Sequence, residues 1–364
     1  MNIAIDGNEA NVGQKVGVSV YTYELLNYFQ KKATKDLRFT VFLRTKPGKH
    51  MPSQTNYFSY RVVYGPFAWS QFFLPLRLIC EYLFGTRYGV FFSPAHYAPR
   101  LLPCNSVVTI HDLSYIHYPS EFLKKDLYQL THWTRYSIQN AKSVIAVSQA
   151  TKKDVIQEYA LDGSMVHVIY NGYSHDKGTQ SSEAQWKPYI LYVGTIQPRK
   201  NIKTLVDAFS TFNKMHPEFR LMIAGKKGWM YEDTLSYIKT SSAAQSIQLL
   251  GFIDDIKKNE LYKNAFCTVL PSFYEGFGLP MLEAMSNGCP VLASQSSSLP
   301  EVGGDAAIYF DPNSSQVLLT KLEQLYTNHQ LRSSKVKQGF MQVNHFSWEL
   351  CGKQTLDVLL QNAS

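Results

Sequence analysis

The sequence predicts an α/β protein made of two doubly wound domains of parallel sheet, and three observations carry that prediction. Short apolar, β-branched runs alternate with longer helical patterns along the whole chain, as strands covered on both faces should. The length, 364 residues, exceeds what one ordinary core accommodates, so two domains of similar size are expected. A polar stretch with no apolar period, Gly172 to Pro188, divides the pattern into two sets and reads as an interdomain linker.

In the first set, strands are predicted at Asn2–Asp6, Phe39–Arg44, Arg61–Tyr64, Val90–Ser93, Val107–His111, Ser143–Ser148 and Val166–Tyr170. The second set is Tyr189–Gly194, Arg220–Gly225, Ile247–Leu250, Cys267–Pro271, Pro290–Ala293 and Ala307–Phe310. The expected division is a first domain over 1–173, a second over 174–345 and a terminal helix over 346–364, with the two domains facing each other across a cleft. Ligands of such sheets sit beyond the carboxyl ends of the strands, so functional residues are sought just after strands.

Composition narrows the class. Hydrophobic content of 45% and charged content of 18% fit a globular protein. Cys80, Cys104, Cys267, Cys289 and Cys351 are scattered without paired spacing, which argues against a disulfide framework or a zinc site and favours a reducing cytoplasm. The N-terminus shows no basic region followed by an apolar core, so no signal peptide is expected. The net charge of +8 is uneven: residues 1–175 hold 18 Lys/Arg against 11 Asp/Glu, or +7, and the rest hold 18 against 17, or +1. A basic half suggests an anionic partner, which charge alone does not choose among nucleic acid, phosphorylated substrate and anionic lipid. No nucleic-acid recognition motif is found, and none is expected to bind. The segment Gly65–Gly85 is rich in aromatics but is interrupted by Gln71, Pro75, Arg77 and Glu81. It reads either as a buried amphipathic helix or as an element touching a membrane or a lipid-borne substrate.

The most informative stretch is PSFYEGFGLPMLEAMSNGCPVLAS, Pro271 to Ser294. Glu275-Gly-Phe-Gly lies at the carboxyl end of a predicted strand. Pro280 suits the first turn of a helix, and Gly288 with Pro290 beyond suits its end. A glycine loop running into a helix start offers backbone N–H groups and a positive dipole end to a phosphate. Two carboxylates beside such a site, Glu275 and Glu283, suit hydroxyl groups on either side of the phosphates, as on a nucleotide-sugar. Singly, either has an ordinary alternative: Glu275 as a solvated loop residue, Glu283 as a first-turn residue favouring the dipole. After the strand Tyr189–Gly194, the loop Gly194-Thr-Ile-Gln-Pro-Arg-Lys-Asn places Arg199 and Lys200 where adjacent cations could clamp a diphosphate.

The run E-G-F-G-L-P-x-x-E-A-M-x-x-G-x-P-V-x-A-S resembles the donor-site signature of the retaining glycosyltransferases of family four, which have the GT-B fold. YVGTIQPRKNIKTLVDAF (Tyr192 to Phe209) resembles that family's phosphate-binding segment, and TIHDLSYIHYP (Thr109 to Pro119) its interdomain histidine segment. The likeness spans nearly the whole chain and is strongest to bacterial mannosyltransferases of surface polysaccharide and O-antigen assembly. It implies that Glu275 binds donor-sugar hydroxyls and that Gly276, Phe277, Gly278 and Leu279 hold sugar and diphosphate. Glu283 would then bind the ribose, and Arg199 and Lys200 would stabilise the departing diphosphate. Many relatives carry Gly-Arg where this chain has Gly194-Thr195, which leaves Arg199 to supply the arginine.

In the first domain, His111 ends a predicted strand, and the resemblance places such a histidine against the donor sugar; Asp112 would orient it or cap the next turn. Gly13 and Gly17, after the first strand, would let backbone approach a ligand or simply make an ordinary strand–helix turn; the loop resembles the family's first glycine loop, which implies a place near donor phosphate and acceptor. The terminal stretch, Phe346 to Ala363, would cross back onto the first domain, as in the GT-B fold. The expected activity is therefore transfer of a sugar from a nucleoside diphosphate with anomeric configuration retained. GDP-mannose is the first expectation for donor, with a UDP-sugar or another GDP-sugar behind it. The expected acceptor is a glycan or polyprenyl-diphosphate-linked glycan, reached from a peripheral position on the inner face of the membrane. No D-x-D occurs, so no metal and no cofactor are expected. Alternatives are an epimerase or phosphorylase of the same architecture, or a two-domain protein that binds sugar without chemistry.

Overall fold

The computed structural model describes residues 1–173 and 186–363; most of the expected linker, residues 174–185, lies outside them. The chain divides into two compact units. The first comprises Met1–Ile116, Leu123–Gly172 and Phe346–Ser364, and the second His117–Phe122 and Tyr173–His345. The six residues His117–Phe122, placed by sequence reading within the first domain, thus pack with the second.

The first unit carries β1 (Asn2–Asp6), β2 (Arg38–Leu43), β3 (Phe58–Val62), β4 (Val90–Ser93), β5 (Asn105–Ile110), β6 (Ser143–Ala146) and β7 (Val166–Val168). All pair in parallel, in the order β3-β2-β1-β4-β5-β6-β7. The second unit carries β8 (Lys187–Val193), β9 (Arg220–Ala224), β10 (Ile247–Gly251), β11 (Ala265–Leu270), β12 (Val291–Ser294) and β13 (Ala307–Phe310). These are also parallel, in the order β10-β9-β8-β11-β12-β13. The strands fall within a few residues of their predicted bounds because continuous apolar runs such as VFFS and AFCTVL are buried on both faces.

Strand order reverses between β1 and β4 in the first sheet and between β8 and β11 in the second. At such switch points the loops at the carboxyl ends diverge and leave a crevice. The loop after β8 carries Arg199 and Lys200, and that after β11 carries Glu275, so both donor-side candidates lie at the second unit's switch point.

The terminal helix spans Trp348–Gln361, with the Ser347 side chain accepting from the Leu350 N–H as its N-cap. It packs on the helix Val18–Lys32, and Cys351, Leu356, Val358 and Leu359 enter the first unit's core. A Cβ at Gly352 would lie 2.4 Å from the Tyr28 ring, so glycine permits the close approach. Asn362 is tied to the sheet by Asn105 and Ser143 at 3.0 and 3.1 Å.

Of the segment Gly65–Gly85, only Phe73–Leu83 is helical, and Leu74, Pro75 and Leu78 are its buried residues. Phe67, Phe72, Leu76, Tyr82, Leu83 and Phe84 are exposed, Phe84 to 89%. The reading of this segment as a buried amphipathic helix therefore fails for most of its apolar side chains. Among the described residues, no helix is long and apolar enough to cross a membrane.

Candidate active site

In the second unit, β8 ends at Val193 and the chain turns through Pro198–Lys200 into the helix Ile202–Met215. Asn201 adopts a left-handed conformation (φ 54°) at the junction. Its buried amide donates to the Pro271 and Pro312 carbonyls at 3.0 and 2.8 Å, while its oxygen accepts from Thr204. This residue latches the basic turn to the loop after β11. Gly194 and Gly225 explain each other: a Cβ at Gly225 (φ 151°) would lie 1.8 Å from the Gly194 carbonyl oxygen, so the ends of β8 and β9 meet backbone to backbone.

The loop after β11 leads through Gly278 (φ 103°) into the helix Leu279–Ser286, with Pro280 in its first turn. Gly288 (φ 71°) follows the helix end, a left-handed position that glycine occupies without strain. Glu283 is the fifth helical residue, and no acidic residue stands in the first turn, so a dipole role for Glu283 is ruled out.

Glu275 is held on every side. Its two carboxylate oxygens accept from Lys200 Nζ at 2.6 and 2.7 Å, one also accepts from Ser272 Oγ at 2.7 Å, and Arg199 lies 4.0 Å away. Burial acts to raise its pKa, but the charges of Lys200 and Arg199 and the bonds from Lys200 and Ser272 outweigh it and hold the carboxyl below its ordinary value. The reading of Glu275 as a solvated loop residue is therefore wrong. Ser297 Oγ accepts from the Glu275 N–H, and Ser298 Oγ, fully buried, lies 2.9 and 3.0 Å from the Glu275 and Phe277 carbonyls. Arg199 donates from Nη1 to the Tyr274 carbonyl at 3.0 Å.

Glu283 accepts from Lys258 Nζ at 2.7 Å and from the Tyr262 hydroxyl at 3.3 Å. Lys258, on the helix Asp255–Asn264, also pairs with Asp255 at 2.9 Å. Its burial pushes the ammonium pKa down, yet Glu283 and Asp255 raise it above the ordinary value. Sequence reasoning missed Lys258, Asn201, Ser272, Ser297 and Ser298. The only local signal for the last two was the serine run after β12.

In the first unit, His111 follows β5 and is 9% exposed. Its Nε2 lies 2.8 Å from the Pro94 carbonyl, and its ring meets Tyr21 edge-on at 4.8 Å and His96 at 5.6 Å. Desolvation first, with His96 adding, lowers its pKa to about 4, so it is neutral at pH 7. Asp112 caps the next turn through the N–H and hydroxyl of Ser114, at 3.0 and 2.7 Å. Gly17 (φ 52°) stands at the N-terminus of Val18–Lys32 with open space at its Cβ position, as does Gly13. Asp6, ending β1, accepts from the N–H and amide of Asn8; desolvation, with Glu9 adding, raises its carboxyl to about 7. Among the described residues, no three His, Cys, Asp or Glu side chains converge as metal ligands.

Comparison with known proteins places this arrangement. Residues 16–177 match the family described as Glycosyltransferase Family 4, and residues 176–340 that described as Glycosyl transferases group 1. The chain is 31% identical over 279 residues to the O-antigen chain mannosyltransferase B of Escherichia coli, covering 74% of this chain and 73% of that protein. It is 27% identical over 268 residues to the O-antigen chain mannosyltransferase RfbU of Salmonella typhimurium, covering 71% and 72%. The Anabaena protein HepE, solved with UDP-glucose, superposes with a TM-score of 0.75 at 18% identity over 99% of this chain and 100% of that one. This chain belongs to glycosyltransferase family four, and it is a glycosyltransferase of the GT-B fold.

Proposed function

We propose that the protein transfers mannose from GDP-mannose to a growing cell-surface glycan, with retention of the anomeric configuration. The observation that carries the donor reading is the pair of carboxylates at the second switch point, each already matched to a cation: Glu275 to Lys200 and Glu283 to Lys258. A diphosphate entering between the Pro198–Lys200 turn and the Leu279–Ser286 helix start would meet the ammonium, the guanidinium and the helix dipole together. As it took up the charge of Lys200 and Arg199, Glu275 would be released to accept hydroxyls of the donor sugar, and Glu283 those of the ribose.

Bond cleavage puts negative charge on the leaving diphosphate and positive charge on the sugar ring. The fixed cations stabilise the first. The departing phosphate oxygen takes the acceptor hydroxyl's proton on the face it leaves, so configuration is kept without a protein nucleophile. His111, neutral and bonded to the Pro94 carbonyl, is not suited to carry a proton at neutral pH. Mannose is favoured because relatives in both Escherichia coli and Salmonella are named as mannosyltransferases. The charge of the diphosphate is met by protein groups, so transfer proceeds without a metal.

A polyprenyl-diphosphate-linked acceptor and a peripheral position on the cytoplasmic face fit the exposed aromatics of residues 64–84. Over 61–100 the charged residues are Arg61, Arg77, Arg87, Arg100 and Glu81, and Glu81 is covered and bound by Arg77 and Tyr88. The test is transfer from GDP-mannose, UDP-glucose and other sugar nucleotides to a lipid-linked acceptor in the presence of EDTA, with the product's anomeric configuration read by NMR. Transfer from GDP-mannose with an α-linked product is expected. An inverted product, or activity abolished by chelation, contradicts the mechanism.

A further inference from the structure

The residues His117–Phe122 are flanked in sequence by parts of the first unit but belong in space to the second. They make specific contacts there. The His117 ring meets Tyr274 at 5.1 Å between centroids, Tyr118 meets the same ring at 6.4 Å, and Phe122 packs on Trp229 at 5.2 Å. Between these anchors, a short turn at Pro119–Glu121 aims Glu121 at the basic turn. Its Oε2 accepts from the backbone N–H of Arg199 at 2.9 Å. The other side of Arg199 is also fixed, since its carbonyl accepts from the Phe273 N–H at 2.9 Å and its guanidinium donates to Tyr274.

We propose that Glu121 is a positioning residue for the donor site, delivered by a strap from outside the second unit's continuous sequence. By clamping the Arg199 amide it fixes the Pro198–Lys200 turn, and with it the direction in which Arg199 and Lys200 present their charges. Glu121 itself does not touch the donor. The proposal rests on the reading that these two cations bind a nucleoside diphosphate. A second role would have the opposite sign: a carboxylate near two cations, acting only through its charge, weakens their hold on a diphosphate. The amide bond and the charge can be separated by substitution, because glutamine keeps an acceptor oxygen and loses the charge.

The experiment measures the Kd of GDP and of UDP by calorimetry for the full chain and for Glu121→Gln, Glu121→Ala and Glu121→Asp. Hydrogen exchange of the peptide containing Arg199 is followed without nucleotide. Clamping predicts that Ala and Asp, which cannot reach the amide, weaken nucleotide binding about tenfold, the loss expected for one hydrogen bond to a charged group. They also speed exchange at Arg199 and raise the donor KM more than they lower kcat. Gln stays within about threefold of the parent, as the rescue expected when the acceptor oxygen is retained. Should Ala fail to fold, Asp carries the same comparison. Tighter binding in both Gln and Ala would show that charge alone acts and would overturn the proposal, as would unchanged exchange at Arg199 in Ala and Asp. If the parent binds neither GDP nor UDP, the donor-site reading itself falls and the proposal with it, while the exchange data still report whether Glu121 holds the turn.

Discussion

The two units share one architecture and treat charge in opposite ways. At the second unit's switch point, the two candidate carboxylates, Glu275 and Glu283, each lie within 2.7 Å of an ammonium, and the neighbouring charges hold Glu275 below its ordinary pKa. In the first unit, burial works against charge at the groups ending β1 and following β5: Asp6 is raised to about 7 and His111 lowered to about 4, each chiefly by desolvation. A leaving diphosphate needs fixed positive charge that does not have to reorganise, and on the proposed function Lys200 and Arg199 are the groups that would supply it. The fold supplies loop ends at a crevice in both cases, and the side chains packed beneath those loops decide which electrostatics results.

The largest effect should come from breaking the charged side of this contrast. Lys200→Ala removes a cation from the developing negative charge and is expected to cut kcat by about 10²–10³-fold. It also strands Glu275, 15% exposed at the side chain, so the melting temperature should fall by several degrees. A Lys200→Ala enzyme with near-normal kcat would refute the assignment. Next in size, Lys258→Ala leaves Glu283 without its cation and is expected to weaken nucleotide binding about three- to tenfold through loss of orientation, with kcat at saturating donor little changed. A steady-state titration of donor separates the two parameters.

The neutral side is sharpened by pH. His111 binds its proton less readily folded than unfolded, so between about pH 4 and 6.5 stability rises with pH and is lost on acidification. Asp6 keeps its proton to about pH 7 when folded but ionises near 3.8 when unfolded, so its contribution falls as pH rises across the same range. The two slopes oppose each other in the parent. Urea unfolding between pH 4 and 7 should therefore show a steeper rise with pH in Asp6→Asn and a fall in His111→Asn, each relative to the parent. Parallel curves for all three would show that neither group is perturbed. The smallest effect concerns the exposed aromatics: high salt is expected to release the protein from anionic vesicles, and Phe67→Ser with Phe84→Ser to reduce binding severalfold in sedimentation. Release by detergent alone would contradict the electrostatic part.

Much of this was legible in the sequence, for physical reasons. Strands covered on both faces leave unbroken apolar runs, so β4 and β13 were placed to the residue. A glycine loop running into a proline at a helix start marks the β11 loop, and it pointed to Glu275 and Glu283. What sequence could not show was the partner of each charge. Lys258 lies on a polar helix 25 positions before Glu283, and nothing local distinguishes it from Lys257, which instead pairs with Glu260 at the surface. Asn201 looks like any loop asparagine until two carbonyls from distant turns converge on it. The strap His117–Phe122 was hidden for the same reason, because its partners Tyr274, Trp229 and Arg199 are more than seventy positions away in sequence. For Gly65–Gly85 the sequence left burial and membrane contact both open, because apolar content predicts burial only where a neighbouring surface exists to receive it.

The central claim, that the second unit's switch point binds a nucleoside diphosphate between Lys200 and Glu283, is tested most directly by thermal unfolding with GDP, UDP, ADP and dTDP in turn. A nucleotide at 100 times its dissociation constant stabilises by about 2.7 kcal/mol, a shift of a few degrees in a protein of this size. The account predicts such a shift with GDP, and its loss in Glu283→Ala. A parent protein that none of the four nucleotides stabilises, or a GDP shift that survives Glu283→Ala unchanged, would contradict it.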